Sequence, residues 1–589
     1  MRNQNLWLFI ALLFILGSCD LEETPIATSS KADIFGTEAG LRLYSNSFYG
    51  QLPSGNAIVT EDYLSDVNAR SSRHIYLTEG AFNPATSTAG WGWGTLRNIN
   101  YFLENNIDPE VPERVRQNFN GIARFWRAWF YFEKVKQFGD VPWIDRPLDV
   151  GDTDELFGPR DPRAAVMDNV LADLNYAIEN ITDPDNSRTK VTRDVALAFK
   201  SRVCLFEGTW RKYHTDLGLA NTADAWLTEA ANAAQTLMDE NNFSIYTGAG
   251  TDMSYRALFT SVSPVASEII FGRAWDAAFG QNHGANWHYN SSTYGVQLSP
   301  VRQFINTYLM LEGTPFTDLE GNETMVFSEE VKDRDKRLQQ SIRLGDYKRR
   351  SGGREIPGPP DFGYTLTGYH PIKWSLDDEY YDGDTRNDNF ISLIRYAEVL
   401  LNYAEAKAEL GNITDSDWAM TIGLLRARAG ITGGLDAVPA EVDTYFQSTF
   451  FPGISDPAIL EVRRERAIEL YLEVSRHTDL RRWKAGELME MQYRGIWVPE
   501  VNQPMDLNED GNYNVYFFYG DAPASEDRIP GVSYMNVNPG GTRWLSEGTY
   551  GYVLWLEDQP RTWEDKLYLW PIPEHHRILN PNLGQNPGW

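Results

Sequence analysis

Trp91 and Trp93 stand in the run Ala89-Gly-Trp-Gly-Trp-Gly94, each indole flanked by residues that carry no side chain to cover it. Glycine leaves the backbone permissive, so both rings are expected to be accessible. The chain holds 19 Trp, 30 Tyr and 28 Phe, and a load of that size puts some rings on open surface, where they favour ligands with flat, weakly apolar faces. The alternative for each ring is an ordinary place in the core. A second stretch with chemical potential is Asp506-Leu-Asn-Glu-Asp-Gly-Asn512, in which Asp506, Asn508, Asp510 and Asn512 repeat at the spacing of a calcium loop. Phe517 stands where such a loop places its bidentate Glu, so structural calcium would need oxygen ligands from elsewhere, and an Asx-rich turn is the simpler reading.

Covalent chemistry has less support. Asp and Glu together number 82, and counting alone does not exclude two carboxylates at hydrolase spacing. No H-E-x-x-H, G-x-S-x-G or phosphate-loop motif is present, however, and the strand–helix alternation of a barrel hydrolase is missing. A non-enzymatic binding protein without an organic cofactor is therefore expected. The formal net charge of −29 opposes nucleic-acid binding, which draws on clustered Lys and Arg. The two cysteines, Cys19 and Cys204, allow neither a disulfide framework nor a thiolate metal site. Cys204 falls on the apolar side of its helix and reads as a small buried hydrophobe.

The elements that must hold any such site are mainly helical. At 589 residues the chain exceeds the usual size of one core, which predicts intimately packed subregions. Within Leu393 to Asn412, Ala397, Leu400, Leu401, Ala404 and Ala408 form one helical stripe, and Gly411-Asn412 supplies the stop. A mostly small stripe lets a second helix approach closely; one is predicted from Asp417 to Arg428, giving a hairpin of tetratricopeptide size. A third helix, Pro457 to Val474, buries Leu460, Ala467, Leu470, Tyr471 and Val474. Its other face carries Arg463, Arg464, Glu465, Arg466, Glu469 and Glu473, where Arg466 and Glu469 can pair. That face is either solvated or, with Asp479-Leu-Arg-Arg-Trp483, part of a buried network.

Earlier helices are predicted over Thr37–Tyr49, Thr95–Asn106, Val111–Phe138, Pro162–Glu179, Thr192–Glu207 and Asp224–Glu240, the last two forming another hairpin. Val111–Phe138 carries a core stripe of Ile122, Phe125, Trp126, Trp129, Phe130 and Phe132. Few short strands are expected, at Glu268–Phe271 and Leu366–Trp374. The organisation is thus a signal segment (1–18), a tether (19–36), a helical region (37–242), a loop-rich ligand-binding elaboration (243–390), central helices (391–485) and an irregular C-terminal region (486–589).

The apolar run Leu6 to Leu16 is too short to span a bilayer and has the length of a signal-peptide apolar region. Leu16-Gly-Ser-Cys19 resembles the bacterial lipoprotein box, which implies a lipidated Cys19 followed by the polar tether Asp20 to Ser30. Acyl chains at roughly 0.8 kcal/mol per buried methylene would then anchor the protein to a membrane without a spanning helix.

Further pieces, in order, resemble the SusD/RagB lipoproteins. They are Gly121 to Pro142 ending in Phe-Gly-Asp-Val-Pro, Arg395-Tyr-Ala-Glu-Val-Leu-Leu-Asn-Tyr-Ala-Glu-Ala406, Arg463-Arg-Glu-Arg466 with Asp479-Leu-Arg-Arg-Trp483, and Pro571-Ile-Pro573 with Asn580-Pro-Asn-Leu-Gly-Gln-Asn-Pro587. The resemblance implies a scaffold of four tetratricopeptide-like units on the outer face of the outer membrane. It implies glycan binding beside a SusC-like TonB-dependent transporter, with peptide or glycopeptide cargo as the alternative within the wider family. Asp20, Glu22 and Glu23 look like surface-export signals of such lipoproteins. A sugar offers C–H faces to an aromatic plane and hydroxyls to Asn, Asp, Arg and Gln. By analogy with the family, the expected carbohydrate-binding set is Asp66, Arg73, Trp91, Trp93 and Asn98, joined by Trp287, Tyr289 and Tyr294.

Overall fold

Small side chains decide which helices meet. The computed structural model describes residues 31–589 apart from 61, 63, 292–296 and 474; the expectations for Cys19, Asp20, Glu22, Glu23 and Tyr294 lie outside the described residues. The principal helices are α1 (Glu38–Ser45), α2 (Gly94–Asn105), α3 (Glu113–Phe138), α4 (Arg163–Asn180), α5 (Arg193–Tyr213), α6 (Ala223–Glu240), α7 (Tyr396–Glu409), α8 (Pro457–Glu469) and α9 (Arg476–Arg482). They pack as hairpins, α3 on α4 and α5 on α6, and α7 lies against α5, α6 and α8. Buried Ala230, Ala233 and Ala234 of α6 and Ala397, Ala404 and Ala408 of α7 keep these axes close. Gly208 allows the approach of α6 to α5, because a Cβ there would lie 2.8 Å from the Leu227 side chain. The aromatic stripe of α3 is core, as its spacing predicts: Trp129 stacks on Phe199 at 4.6 Å, and Phe125, Trp126 and Phe132 are fully buried, each side chain contributing about 1.5–3 kcal/mol.

The predicted helices are present, with shifted ends. Thr192 caps α5 by accepting from the Val195 amide at 3.3 Å, and the helix runs past Glu207 to Tyr213. The segment 415–428 is helical through a π-turn at Ala419–Gly423. Asp456 caps α8, which stops at Glu469 rather than Val474 because Leu472 adopts a positive φ of 59°. That sparsely populated conformation is held by a hydrogen bond from the Leu472 amide to the Asp62 carboxylate at 2.6 Å.

Strands are short. β1 (Ile269–Arg273) pairs antiparallel with β2 (Ile391–Arg395), which feeds directly into α7. The strand expected at Leu366–Trp374 does not form: Gly368 sits at φ 96°, Pro371 lacks a backbone donor, and only the single bridge Ile342 to Pro371 remains. The C-terminal region is more ordered than expected. Its strands β3 (Tyr493–Val498), β4 (Arg543–Leu545) and β5 (Gly551–Trp555) form an antiparallel sheet in the order β4-β5-β3, and a second three-stranded sheet centres on Val515–Phe518. The two largest apolar clusters draw on residues from Phe35 to Leu583 and from Ile58 to Val553, so packing runs across the boundaries read from the sequence at 242/243, 390/391 and 485/486. Among the described residues no helix is long and apolar enough to cross a membrane.

The charged face of α8 is a buried network. Glu469 receives Arg395 at 2.6 Å, Arg337 at 2.8 Å and Arg428, while Arg395 also reaches Glu268 at 3.0 Å and Glu473 at 2.6 Å. Arg337 further pairs with Asp335 at 2.6 Å and with Glu465. The pairing expected between Arg466 and Glu469 is replaced: Arg466 turns to Asp479 at 2.7 Å, and Arg482 holds both oxygens of Glu405, whose Oε1 also accepts from the Trp483 indole at 2.7 Å. Burial alone would raise the Glu469 carboxyl; the guanidiniums of Arg428, Arg395 and Arg337 outweigh it and hold it well below the ordinary carboxylate range.

Two outcomes follow. Glu469→Ala removes the one carboxylate that three buried guanidiniums share and should cost about 3–5 kcal/mol in urea unfolding at pH 7; a loss under about 1 kcal/mol would show that the network is not structural. Asp62 is raised by burial from 3.8 to about 7, so its protonated form favours the fold below about pH 4, and this contribution disappears as pH rises to 7. Asp62→Asn should therefore gain thermal stability relative to the parent at pH 8 over pH 5. An equal difference at the two pH values would mean that Asp62 does not titrate in this range.

Candidate functional site

Trp93 is half-buried at the start of α2, and the residues behind it fix the ring. Its indole meets Trp91 edge-on at 5.5 Å and Phe130 at 5.7 Å, with the Lys134 ammonium 5.4 Å from the ring centre. Lys134 donates to the Gly90 carbonyl, and burial lowers its pKa to about 8. Trp91 departs from the expectation of accessibility. Only 4% exposed, it turns inward onto Phe138 at 4.8 Å; the glycine backbone that was to leave it open instead lets it fold into the core beside α3.

Trp93 lines an open cleft of about 410 Å³ between α2, the segment 142–157 and the helix Glu574–Leu579. Arg97, one turn beyond Trp93, donates to the Leu148 carbonyl and brings that segment over the ring. Arg146 is held by Asp152 at 2.8 Å and Glu155 at 2.6 Å. His576 and Asn580 close the far side, where Asn580 donates to the Gly158 carbonyl at 3.0 Å. The rim is apolar: Phe157 is 51% and Leu579 68% exposed. The cleft thus offers an aromatic ring, cationic and amide donors, one carboxylate and an apolar edge.

Most of the expected set goes elsewhere. Asp66 is buried, and its carboxylate takes the Arg476 guanidinium at 2.7 Å, clamping the 62–68 loop to α9. Arg73 donates to the Pro560 carbonyl at 2.8 Å. Asn98 ties α2 to α1, accepting from the Tyr44 hydroxyl at 2.7 Å and donating to Ser47 at 3.0 Å. Tyr289 is buried and donates to the Val59 carbonyl at 2.6 Å, while Trp287 is half-buried on the same short helix, Ala285–Tyr289. Only Trp91 and Trp93 of the set line the cleft. Arg97, Arg146, Phe157, His576 and Asn580 were missed, although Asn580 belongs to a motif noted for its pattern and Arg97 is one helical turn from Trp93.

The Asp506–Asn512 loop closes on itself. Asp506 accepts from the Asn508 and Gly511 amides at 3.2 and 2.9 Å, and Asp510 from the Asn512 amide at 2.8 Å, as in an Asx-rich turn. Among the described residues no group of three His, Cys, Asp or Glu side chains could hold a metal ion. Cys204 is a free, buried cysteine whose thiol is pushed up by burial.

Residues 267–589 match the family model described as SusD family, and residues 46–205 match one described as starch-binding associating with outer membrane. The chain is 24% identical over 573 residues to SusD-like protein P2 of Formosa agariphila, an alignment covering 92% of this chain and 100% of that protein. With SusD-like protein P38 of the same organism it shares 24% over 433 residues, covering 70% and 79%. A solved SusD-like protein of Bacteroides fragilis superposes with a TM-score of 0.69 at 20% identity, covering 95% of this chain and 99% of that one. A SusD-like carbohydrate binding protein of the same species gives 0.67 at 21%, covering 93% and 99%. The hairpin scaffold is that of these structures, and with the first family model spanning more than half of its residues, the chain belongs to the SusD family.

Proposed function

We propose that this protein is a cell-surface glycan-binding lipoprotein of the outer membrane, lipidated at Cys19, that captures an oligo- or polysaccharide and delivers it to a SusC-like TonB-dependent transporter. The observation that carries the reading is the Trp93 cleft. One ring backed by a rigid aromatic pack is available to the C–H face of a sugar, and Arg97, Arg146, Glu155, His576 and Asn580 stand round it to meet hydroxyls. The descriptions of the matched families and the naming of a structural neighbour as carbohydrate binding support the ligand class. The protein binds without catalysis. Whatever role Asp66, Arg73, Asn98, Trp287, Tyr289 or Tyr294 plays toward glycan would be played outside this cleft.

A second reading, a peptide or glycopeptide cargo, draws on the exposed rim of Leu156, Phe157 and Leu579, which suits an apolar side chain better than a bare sugar.

Soluble protein lacking residues 1–19 and run through affinity gels cast with a glycan panel separates these readings. Retention by at least one polysaccharide without new reducing ends is expected, weakened about ten-fold by Trp93→Ala, the upper range of an aromatic contact. Release of reducing sugar would overturn the non-enzymatic reading. Retention unchanged in Trp93→Ala would remove the cleft as the glycan site, and a panel without any binder would favour the peptide cargo.

A further inference from the structure

A second cavity, of about 170 Å³, shares no lining residue with the Trp93 cleft. It lies where the short helix Arg302–Ile305 meets the β3–β5 ribbon, and its volume is below the ~300–1,000 Å³ of drug-sized sites. One small polar unit is what it can admit. Arg302 and Gln303 are both more than nine-tenths buried in its wall. The Arg302 head group reaches Glu330 at 3.3 Å and the Asn322 carbonyl at 2.9 Å, but no described residue accepts from its Nε. Gln303 donates through Nε2 to the Gln492 carbonyl at 2.8 Å and leaves Oε1 without a donor, and the buried Oγ1 of Thr317 likewise has no partner. Groups of this kind cost free energy when left unmet in a protein interior, and the three residues that carry them line the same cavity.

The remaining wall adds charge and a plane. Arg494 projects from β3, its Nε donating to Gln492 at 2.6 Å, and its guanidinium lies 5.6 Å from the Tyr552 ring centre on β5; that of Arg302 lies 5.2 Å from the same ring. Because both cations are stacked on Tyr552, that ring is not a free platform for a neutral sugar. Two arginines line one small cavity in a chain of net charge −29, and planar guanidinium favours carboxylate. The neutral groups want the opposite partners: Gln303 Oε1 needs a donor, and Glu323 at the mouth accepts.

A ligand that meets all of these carries one carboxylate and several hydroxyls. We propose that this cavity is a subsite for a carboxylate-bearing sugar unit, a uronic acid. Its carboxylate lies on Arg494 and Arg302 Nε, and its hydroxyls on Gln303, Thr317 and Glu323. This rests on the glycan reading and narrows it: an acidic residue of the captured chain is held here, independently of the Trp93 cleft.

Saturation-transfer NMR with D-glucuronate and D-glucose tests it. Transfer to glucuronate should exceed that to glucose at least five-fold. It should fall at least five-fold in Arg494→Gln, whose exposed side chain makes the fold insensitive to the change, and also in Thr317→Val, and it should persist in Trp93→Ala. Equal transfer to glucose, absence of transfer to either sugar, an unaffected Arg494→Gln protein or loss in Trp93→Ala would each overturn the assignment. The gels report on the other site. Neutral-glycan retention with no glucuronate signal sinks this inference alone, whereas glucuronate transfer in a protein that no neutral glycan retains sinks the cleft reading alone.

Discussion

The constraint on which the structure depends is the removal of the α8 charges from water. Each ion so buried carries a desolvation penalty of several kcal/mol, and the folded state is viable because the central carboxylates Glu469, Glu268 and Glu465 each meet more than one guanidinium. Glu469 is shared among Arg395, Arg428 and Arg337, which come from β2, the helical segment after α7 and the loop-rich region. No one of these elements can shift without pulling a guanidinium away from Glu469 in a medium of low dielectric. The network therefore sets how the loop-rich segment sits on the helices, a task that apolar packing, which is less directional, would leave looser.

The Trp93 cleft is built differently. Its walls are single turns and short segments, and its polar groups are held by carbonyls and by surface ion pairs such as Arg146 with Asp152 and Glu155. Such contacts are individually weak and can be exchanged at little cost to the fold. A rigid charged centre with an easily altered perimeter lets the rim of the cleft change without disturbing the scaffold.

Helices were legible because alanine and aromatic stripes at helical spacing have one packing solution; the stripe of α7 and that of α3 are both buried as read. The charge run of α8 was not, since the same residues would line a solvated face, and only partners from residues 268, 337, 395 and 428 decide the matter. Trp91 misled for a local reason. Neighbouring glycines say that a ring is free to move, not where it goes. The cleft itself was legible only at its tryptophans, because His576 and Asn580 arrive from the far end of the chain and no spacing rule links positions so distant. Asp66 and Tyr289 have the right chemistry for a sugar but spend it on Arg476 and Val59, which residue type alone does not reveal.

The clamp between the 62–68 loop and the start of α9 has a consequence for biosynthesis. Asp62 and Asp66 find the Leu472 amide and Arg476 410 positions further along the chain, so this clamp cannot close until most of the polypeptide has left the ribosome. At about 5–20 residues per second that delay is roughly 20–80 s, during which apolar surface stays uncovered. A chain wired in this way reaches its native state late, and a holdase or export chaperone has an extended window in which to engage it.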